Sequence, residues 1–328
     1  MINGQKQKTN KETGCQNGTG TSKDINIGRK KYYGLLIIGA ALLITGIILA
    51  VYTYNTSYQS SLDTGALLSE TKAQAKAVRE NAAEGDLEEL NSRINRLSAE
   101  KLSLERPYSY ALTLVFLAIL LTGKGIRSAV VGVRKASRAD ITRLAQAGLL
   151  TALCYIGFAF FKIDIPAGTE KTSFHFGNVF CVLAALLLGG YWGGLAGAAG
   201  MTIGDLTTAY VTSAPKTFIL KLCIGLIVGL VAHKIFKLSR EHSARYVTGV
   251  TILACVCGMG FNVIADPLAG YFYKTYLFGV PQDITAVLLK ISALTTSVNA
   301  IVAVIAASVI YLALRPALKK AGLFAEIN

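Results

Sequence analysis

The stretch that decides the fold is residues 178–206, which read NVFCVLAALLLGGYWGGLAGAAGMTIGDL. Apolar runs flank a glycine-rich turn at Tyr191-Trp192, and each run is long enough to cross a bilayer as a helix. The stretch therefore predicts two adjacent membrane spans, 174–190 and 193–211. Small residues then recur at every fourth position, at Ala196, Gly200 and Gly204. Because small residues at this spacing let helix backbones approach closely in lipid, we expect the two spans to pack tightly.

The whole chain of 328 residues has the composition of a membrane protein. Hydrophobic residues make up 52% of it and charged residues 16%, and the mean hydropathy is +0.48. A soluble domain carries roughly 25% charged residues, so a soluble enzyme, a disordered chain and a nucleic-acid partner are all disfavoured. Six more apolar runs bring the predicted number of spans to eight. They are residues 33–54, 108–123, 141–161, 217–236, 246–273 and 284–314.

The net charge of +14 comes from basic residues that cluster between the apolar runs. If the N-terminus is cytoplasmic, 20 of the 33 Lys and Arg residues lie on the cytoplasmic side. They fall in residues 1–31, 124–143, 234–245 and 315–328. This asymmetry follows the positive-inside rule and predicts that both termini are cytoplasmic.

These patterns predict an all-α membrane protein with three parts. Residues 1–31 are polar and basic, and they read as a disordered cytoplasmic tail. Residues 32–135 form a two-span module, in which apolar residues at helical spacing predict an extracellular helical hairpin over 55–107, an antiparallel coiled-coil stalk. Residues 136–328 form a six-span bundle that we expect to bind the substrate.

Motifs for catalysis or cofactor binding are missing from the sequence. It has no phosphate-binding loop, HExxH, CxxC or GxSxG motif, so neither an enzyme nor a resident cofactor is predicted. The three histidines, at positions 175, 233 and 242, are far apart in the predicted topology and offer no metal site. If transport here consumes ATP, another polypeptide must hydrolyse it.

Nine polar or ionisable side chains fall at one level of the six-span module, in the outer third to middle of the bilayer. They are His175, Asn178, Asp205, Lys221, Asn262, Asp266, Tyr271, Lys290 and Asn299. Ionisable groups at membrane depth tend to face a cavity or one another. The layout therefore predicts a substrate-binding cavity that opens outward.

Each of these side chains also has a purely structural interpretation. Lys221 and Lys290 can extend their ammonium groups to the membrane interface. Asp266 can cap or kink a helix, Asp205 can anchor a hydrogen bond, and Tyr271 can belong to an interfacial aromatic belt. The set of nine is stronger evidence than any one member.

Three stretches carry a resemblance to a known family. They are residues 178–206, AGLLTAL at 147–153 and SAPKTFILKLCIGLIVGLVA at 213–232. Together they resemble the substrate-binding S component of energy-coupling-factor (ECF) vitamin transporters, within the riboflavin, hydroxymethylpyrimidine and pyridoxine-like branch. The resemblance covers about 136–314 and leaves the two-span module 32–135 without a role.

The resemblance implies a protein of the prokaryotic plasma membrane that captures a vitamin from outside. It would dock on a transmembrane coupling subunit driven by two ATPases, through small residues that here are Gly148 and Ala152. The loop 162–173 would be the extracellular gate. Two alternatives remain open: a stand-alone secondary transporter, with Asp205 and Asp266 carrying protons, and a membrane sensor that uses the stalk.

Overall fold

A computed structural model describes residues 22–80, 84–131, 138–167, 170–278, 280, 282–324 and 327. The elements in chain order are α1 (Ser22–Thr53), α2 (Gln59–Glu80), α3 (Glu84–Val131), α4 (Arg138–Ala159), β1 (Lys162–Ala167), β2 (Glu170–His175), α5 (Gly177–Thr207), α6 (Ala214–Gly229), α7 (Ala244–Phe272) and α8 (Gln282–Lys320). Short π-helical or 3₁₀ turns extend or join these helices at Tyr54–Tyr58, Val211–Ser213, Leu230–Ile235 and Tyr273–Leu277.

Six helical stretches of the described chain are long and apolar enough to cross a membrane, against the eight predicted. They are Leu36–Glu80, Ile141–Ala159, Gly177–Thr207, Val211–Ile235, Ala244–Leu277 and Thr285–Lys320. One of the two differences is the predicted span 108–123, which forms the middle of α3. Its sixteen residues lie just below the roughly 17 that a bilayer core requires.

The second difference lies in α5, where the two spans predicted from residues 178–206 form one element with a break. The backbone at Gly189 has φ 82° and ψ 172°, a conformation that residues with a side chain rarely adopt. The arms on either side lie antiparallel, because a Cβ atom at Gly193 would stand 2.4 Å from the Ala184 backbone and one at Gly197 2.3 Å from Cys181 Sγ. The chain therefore turns at Gly189, and Tyr191-Trp192 belong to the second arm instead of to the turn.

A small antiparallel sheet interrupts the otherwise helical chain. β1 pairs with β2 in the register Lys162↔His175 to Ala167↔Glu170. The described residues of the predicted gate loop 162–173 thus form two paired strands, and His175, which the predicted span 174–190 placed at the start of a helix, ends β2 instead. Residues with β-branched side chains, which favour strands, occur in both, for example Ile163 and Thr172.

The N-terminal helix begins earlier than the predicted end of the tail at residue 31. α1 starts at Ser22, so ten residues that were placed in the tail are helical, and residues 1–21 lie outside the described chain. Adding one residue to an existing helix gains a hydrogen bond at small entropic cost, so helices extend into polar sequence. α1 and α2 run antiparallel to α3, as the approach of Gly39 to Thr122 and of Gly65 to Lys101 indicates.

The bundle core lies around α5, which packs against α4, α6 and α8. Helices α4 and α7 end, and α6 and α8 begin, at the side of the bundle where the β-hairpin lies. We call this side the hairpin end. The turn at Gly189 and the loop between Leu230–Ile235 and α7 lie at the opposite end.

Candidate functional site

A polar cavity lies at the hairpin end and is bounded by β2, α5, α6, α7 and α8. Its space, including the opening to solvent, is ≈ 1020 Å³. A concave site where a few polar groups converge among apolar neighbours is typical of small-molecule binding sites.

Eight of the nine side chains predicted for the site line this cavity. They are His175, Asn178, Asp205, Lys221, Asn262, Asp266, Tyr271 and Asn299. Lys290 is exposed and is not among the lining residues. The cavity-facing positions of α8 include Leu289, Ser292 and Thr296, which recur at helical spacing, and Lys290 projects about 100° away from Leu289 around the helix. We therefore leave Lys290 out of the candidate site.

An ion pair between two helices lies in the cavity wall. Lys216 Nζ on α6 is 2.9 Å from Asp266 Oδ1 on α7, with side chains only 14% and 20% exposed. The other carboxylate oxygen accepts a hydrogen bond of 3.0 Å from the Thr296 hydroxyl of α8 and lies 3.5 Å from the Ser292 hydroxyl. Asp266 thus joins three helices. Lys216, Ser292 and Thr296 are not among the nine site residues predicted from the sequence.

The helical periodicity could have found two of these residues. Ser292 and Thr296 lie seven and three residues before Asn299, a spacing that places all three on one face of α8. Lys216 lies one residue before the predicted span 217–236, but α6 already begins at Ala214 with a proline in its first turn. A proline there is a common helix-start signal, and it places the lysine inside the helix.

Lys221 is a second cationic group of the cavity. The residue is 6% exposed, and its Nζ donates a hydrogen bond of 3.3 Å to Asn262 Oδ1, which is 1% exposed. A buried ammonium group is costly unless it is paired or hydrogen-bonded. Its position favours the cavity interpretation over extension toward the membrane interface.

Three buried polar atoms at the cavity have no hydrogen-bond partner within the described residues. They are His175 Nδ1, Asn178 Oδ1 and Asp205 Oδ2. A buried polar atom left unpaired costs about 1–3 kcal/mol, so a ligand or water that supplies partners gains free energy here.

The β-hairpin covers one side of the cavity and is held there by polar contacts. Asn299 of α8 donates from Nδ2 to the Ser173 carbonyl at 2.9 Å and accepts from the His175 amide at 3.0 Å. The Tyr210 hydroxyl donates to Asp164 Oδ1 at 2.8 Å. Lys162 Nζ is 3.3 Å from the same carboxylate oxygen and 4.8 Å from the centre of the Tyr210 ring.

His175 of the β-hairpin and Tyr210 beside the hairpin both favour their neutral forms. Burial lowers the pKa of His175 to about 3, and the positive charge of Lys221 adds to the effect. The imidazole is therefore uncharged at neutral pH. Burial also raises the pKa of the Tyr210 phenol above its usual value, so that its O–H remains available as a donor. The Phe158 ring contacts both, with ring centres 4.9 Å from His175 and 5.8 Å from Tyr210.

The two residues predicted for partner docking lie on a different surface, on α4. Gly148 and Ala152 are both exposed, and a Cβ atom added at Gly148 would meet no atom within 4 Å. This face of α4 is thus open along one helical turn.

A protein-family model described as "ECF-type riboflavin transporter, S component" matches residues 138–316, which is more than half of the chain. Comparison of the chain with curated proteins and with solved structures finds no match in either set. Members of the S-component family bind a small-molecule substrate and pair with a membrane ECF module, and they are transport proteins and not enzymes. With its six apolar helices and this match over the bundle that forms the cavity, the chain is a multi-pass membrane protein that belongs to the S-component family of ECF transporters.

Proposed function

We propose that this chain captures a water-soluble vitamin or vitamin precursor outside the cell and delivers it to an ECF module for ATP-driven import. The observation that carries the proposal is the cavity at the hairpin end, where five elements bring buried polar groups together. Placing polar side chains at membrane depth costs free energy, and such side chains commonly mark a substrate-binding site.

The chemistry of the lining favours a flat heterocycle that carries hydrogen-bonding groups. Phe158, Tyr210 and Tyr271 offer aromatic surfaces, and Lys221, Asn178 and Asp205 offer charged or polar atoms beside them. Riboflavin, hydroxymethylpyrimidine and pyridoxine all fit this description. Riboflavin is the first to test, because it is the substrate in the description of the matching family model.

The proposal places the hairpin end outside the cell and both termini in the cytoplasm of a prokaryote, as the distribution of basic residues favours. The ligand then enters from the extracellular side, under the β-hairpin. In this proposal α3 crosses the membrane through its apolar middle, with flanking residues of the same helix completing the span. The distal part of the hairpin formed by α1, α2 and α3 is then extracellular.

A binding experiment with the detergent-purified full chain tests the proposal. Riboflavin fluorescence is titrated against the protein, and small molecules that co-purify are identified by mass spectrometry. We expect one ligand per chain, bound at submicromolar concentration. A purified chain that carries no heterocycle and quenches none of the three candidate vitamins contradicts the proposed substrate class.

The open face of α4 is the proposed docking surface for the coupling subunit, which works with two ATPases. Leucine at Gly148 fills that face, so Gly148→Leu should abolish uptake in cells while binding stays unchanged. Gly260→Leu on α7 is the matched control, because a Cβ there also meets open space. Equal uptake by both variants contradicts docking through α4. Uptake in vesicles by this chain alone, driven by a proton gradient, contradicts import through an ECF module.

A further inference from the structure

Five aromatic residues connect the two-span module to the six-span bundle at the hairpin end. They are Tyr54, Tyr58, Tyr108, Tyr273 and Phe278, which we call the aromatic cluster. Its ring centres lie 5.0 Å apart for Tyr58 and Phe278, 5.3 Å for Tyr108 and Phe278, and 5.1 Å for Tyr273 and Phe278. Offset and edge-to-face pairs at such distances are favourable, each by more than its buried area alone.

Hydrogen bonds fix the same contact. The Tyr58 hydroxyl donates to the Phe278 carbonyl at 2.7 Å, and the Tyr108 hydroxyl donates to the Leu277 carbonyl at 3.2 Å. Tyr58 is 1% exposed and Phe278 2% exposed. Both donors come from the two-span module, and both acceptors are backbone atoms where the π-helical turn after α7 ends.

The segment held by these bonds also borders the cavity. We call residues 273–278 the mouth segment. Its Lys274 lines the cavity, as do Tyr271, two residues before the segment, and Thr285, seven residues after it. Thr285 contacts Thr275 of the mouth segment, with 3.1 Å between the hydroxyl oxygens. The mouth segment thus has the aromatic cluster on one face and the cavity on the other.

A second contact of α3 reaches another part of the cavity rim. The Tyr110 hydroxyl donates to the Leu206 carbonyl at 3.3 Å, near the end of α5. α3 also packs against the turn Val211–Ser213, of which Thr212 and Ser213 line the cavity. The two-span module therefore holds two separate rim segments, and the β-hairpin covers the rim elsewhere.

We propose that the two-span module is an intramolecular clamp on the cavity mouth, which keeps the mouth segment in place and slows the exit of the ligand. The role in ligand exit rests on the proposed function of the cavity, while the role in holding the mouth segment does not. The match to the S-component family begins at residue 138, so the clamp lies in the part of the chain outside it.

Hydrogen exchange of the full chain in detergent tests the clamp without a ligand. Tyr58→Phe removes one hydroxyl and keeps the ring, and we expect amides of the mouth segment to exchange about fivefold faster. Tyr246→Phe is the matched control, since the Tyr246 hydroxyl donates to the Phe236 carbonyl at 2.8 Å at the opposite end. Phe278→Ala, which removes the central ring, should have the larger effect on the same amides.

Release of riboflavin, followed by fluorescence after dilution, tests the second half of the proposal. We expect faster release from Tyr58→Phe and Phe278→Ala than from Tyr246→Phe, with all three variants retaining the wild-type oligomeric state. Unchanged exchange of the mouth segment in both cluster variants overturns the clamp. Faster amide exchange of the mouth segment with unchanged riboflavin release overturns the role of the clamp in ligand exit. A wild-type chain that binds no riboflavin counts against the proposed substrate, and the exchange measurement then decides the clamp alone.

Discussion

The side-chain amide of Asn299 donates a hydrogen bond of 2.9 Å to the carbonyl of Ser173, and this bond ties α8 to the β-hairpin at the cavity mouth. The same side chain accepts from the His175 amide, so one residue satisfies two neighbouring backbone groups of β2. A β-hairpin of two strands is marginally stable by itself, and it needs such contacts to keep its position.

Asn299→Leu should release the β-hairpin. Two hydrogen bonds of about 1 kcal/mol each are lost, so we expect riboflavin to dissociate at least tenfold faster and amides of 162–175 to exchange faster. Stopped-flow fluorescence and hydrogen exchange measure these effects. Lys290→Ala on the same helix is the control, because Lys290 is exposed and outside the cavity lining. Equal dissociation rates for the two variants would show that the amide contact does not hold the cover.

Asp266→Asn should weaken both the fold and ligand binding. Lys216 would keep its positive charge in a largely buried place without its partner, which costs up to about 3 kcal/mol. We expect a lower melting temperature and a riboflavin affinity reduced by at least tenfold. Glu241→Gln is the control, because it removes an ion pair with Lys319 at the opposite end. A wild-type affinity in Asp266→Asn contradicts the assignment of the pair to the ligand site.

Acid should destabilise the protein through His175. Burial lowers the pKa of its imidazole to about 3, with Lys221 and Lys162 acting in the same direction and Asp266 opposing them. An unfolded chain binds this proton below about pH 6.5, whereas the folded chain does not, so stability is full above that pH and falls as pH decreases toward 3. His175→Gln should flatten the dependence of melting temperature on pH between 7.5 and about 4.5. His242→Gln, which alters an exposed ring at the opposite end, is the control and should leave the dependence of melting temperature on pH unchanged. A flattened dependence in His242→Gln but not in His175→Gln contradicts the assignment of acid sensitivity to His175.

Gly193→Ala should destabilise the bundle by preventing the close approach of the two α5 arms. A Cβ atom there would stand 2.4 Å from the Ala184 backbone, which cannot move aside as a flexible side chain can. Overpacking of this kind costs about 1–3 kcal/mol, and we expect a lower melting temperature. Gly260→Ala has open space and should be neutral or slightly stabilising, since alanine favours a helix. If both variants melt alike, the arms are not in the tight contact described.

Most of the candidate site could be predicted from the sequence, because polar side chains within a membrane cost free energy and are therefore rare except where they have a function. His175, Asn178, Asp205 and Asp266 stand out against apolar neighbours, and all four line the cavity. Polarity at membrane depth did not identify the position of Lys290, which lies outside the cavity lining. A long side chain near a helix end can reach water, and its depth in the membrane does not determine which way it points. Lys216 was not predicted, because the predicted span 217–236 begins three residues after the actual helix start at Ala214.

The sequence by itself determined that this chain is a helical membrane protein with polar groups at one level, because hydropathy and charge are local properties that the bilayer selects directly. Only the tertiary structure decided where the chain turns and which side chains meet. The break at Gly189, the pairing of Lys216 with Asp266 and the contact of Tyr58 with Phe278 depend on the packing of distant segments. Residues such as Tyr58 and Phe278, separated by 220 positions, leave no mark of their contact in local periodicity.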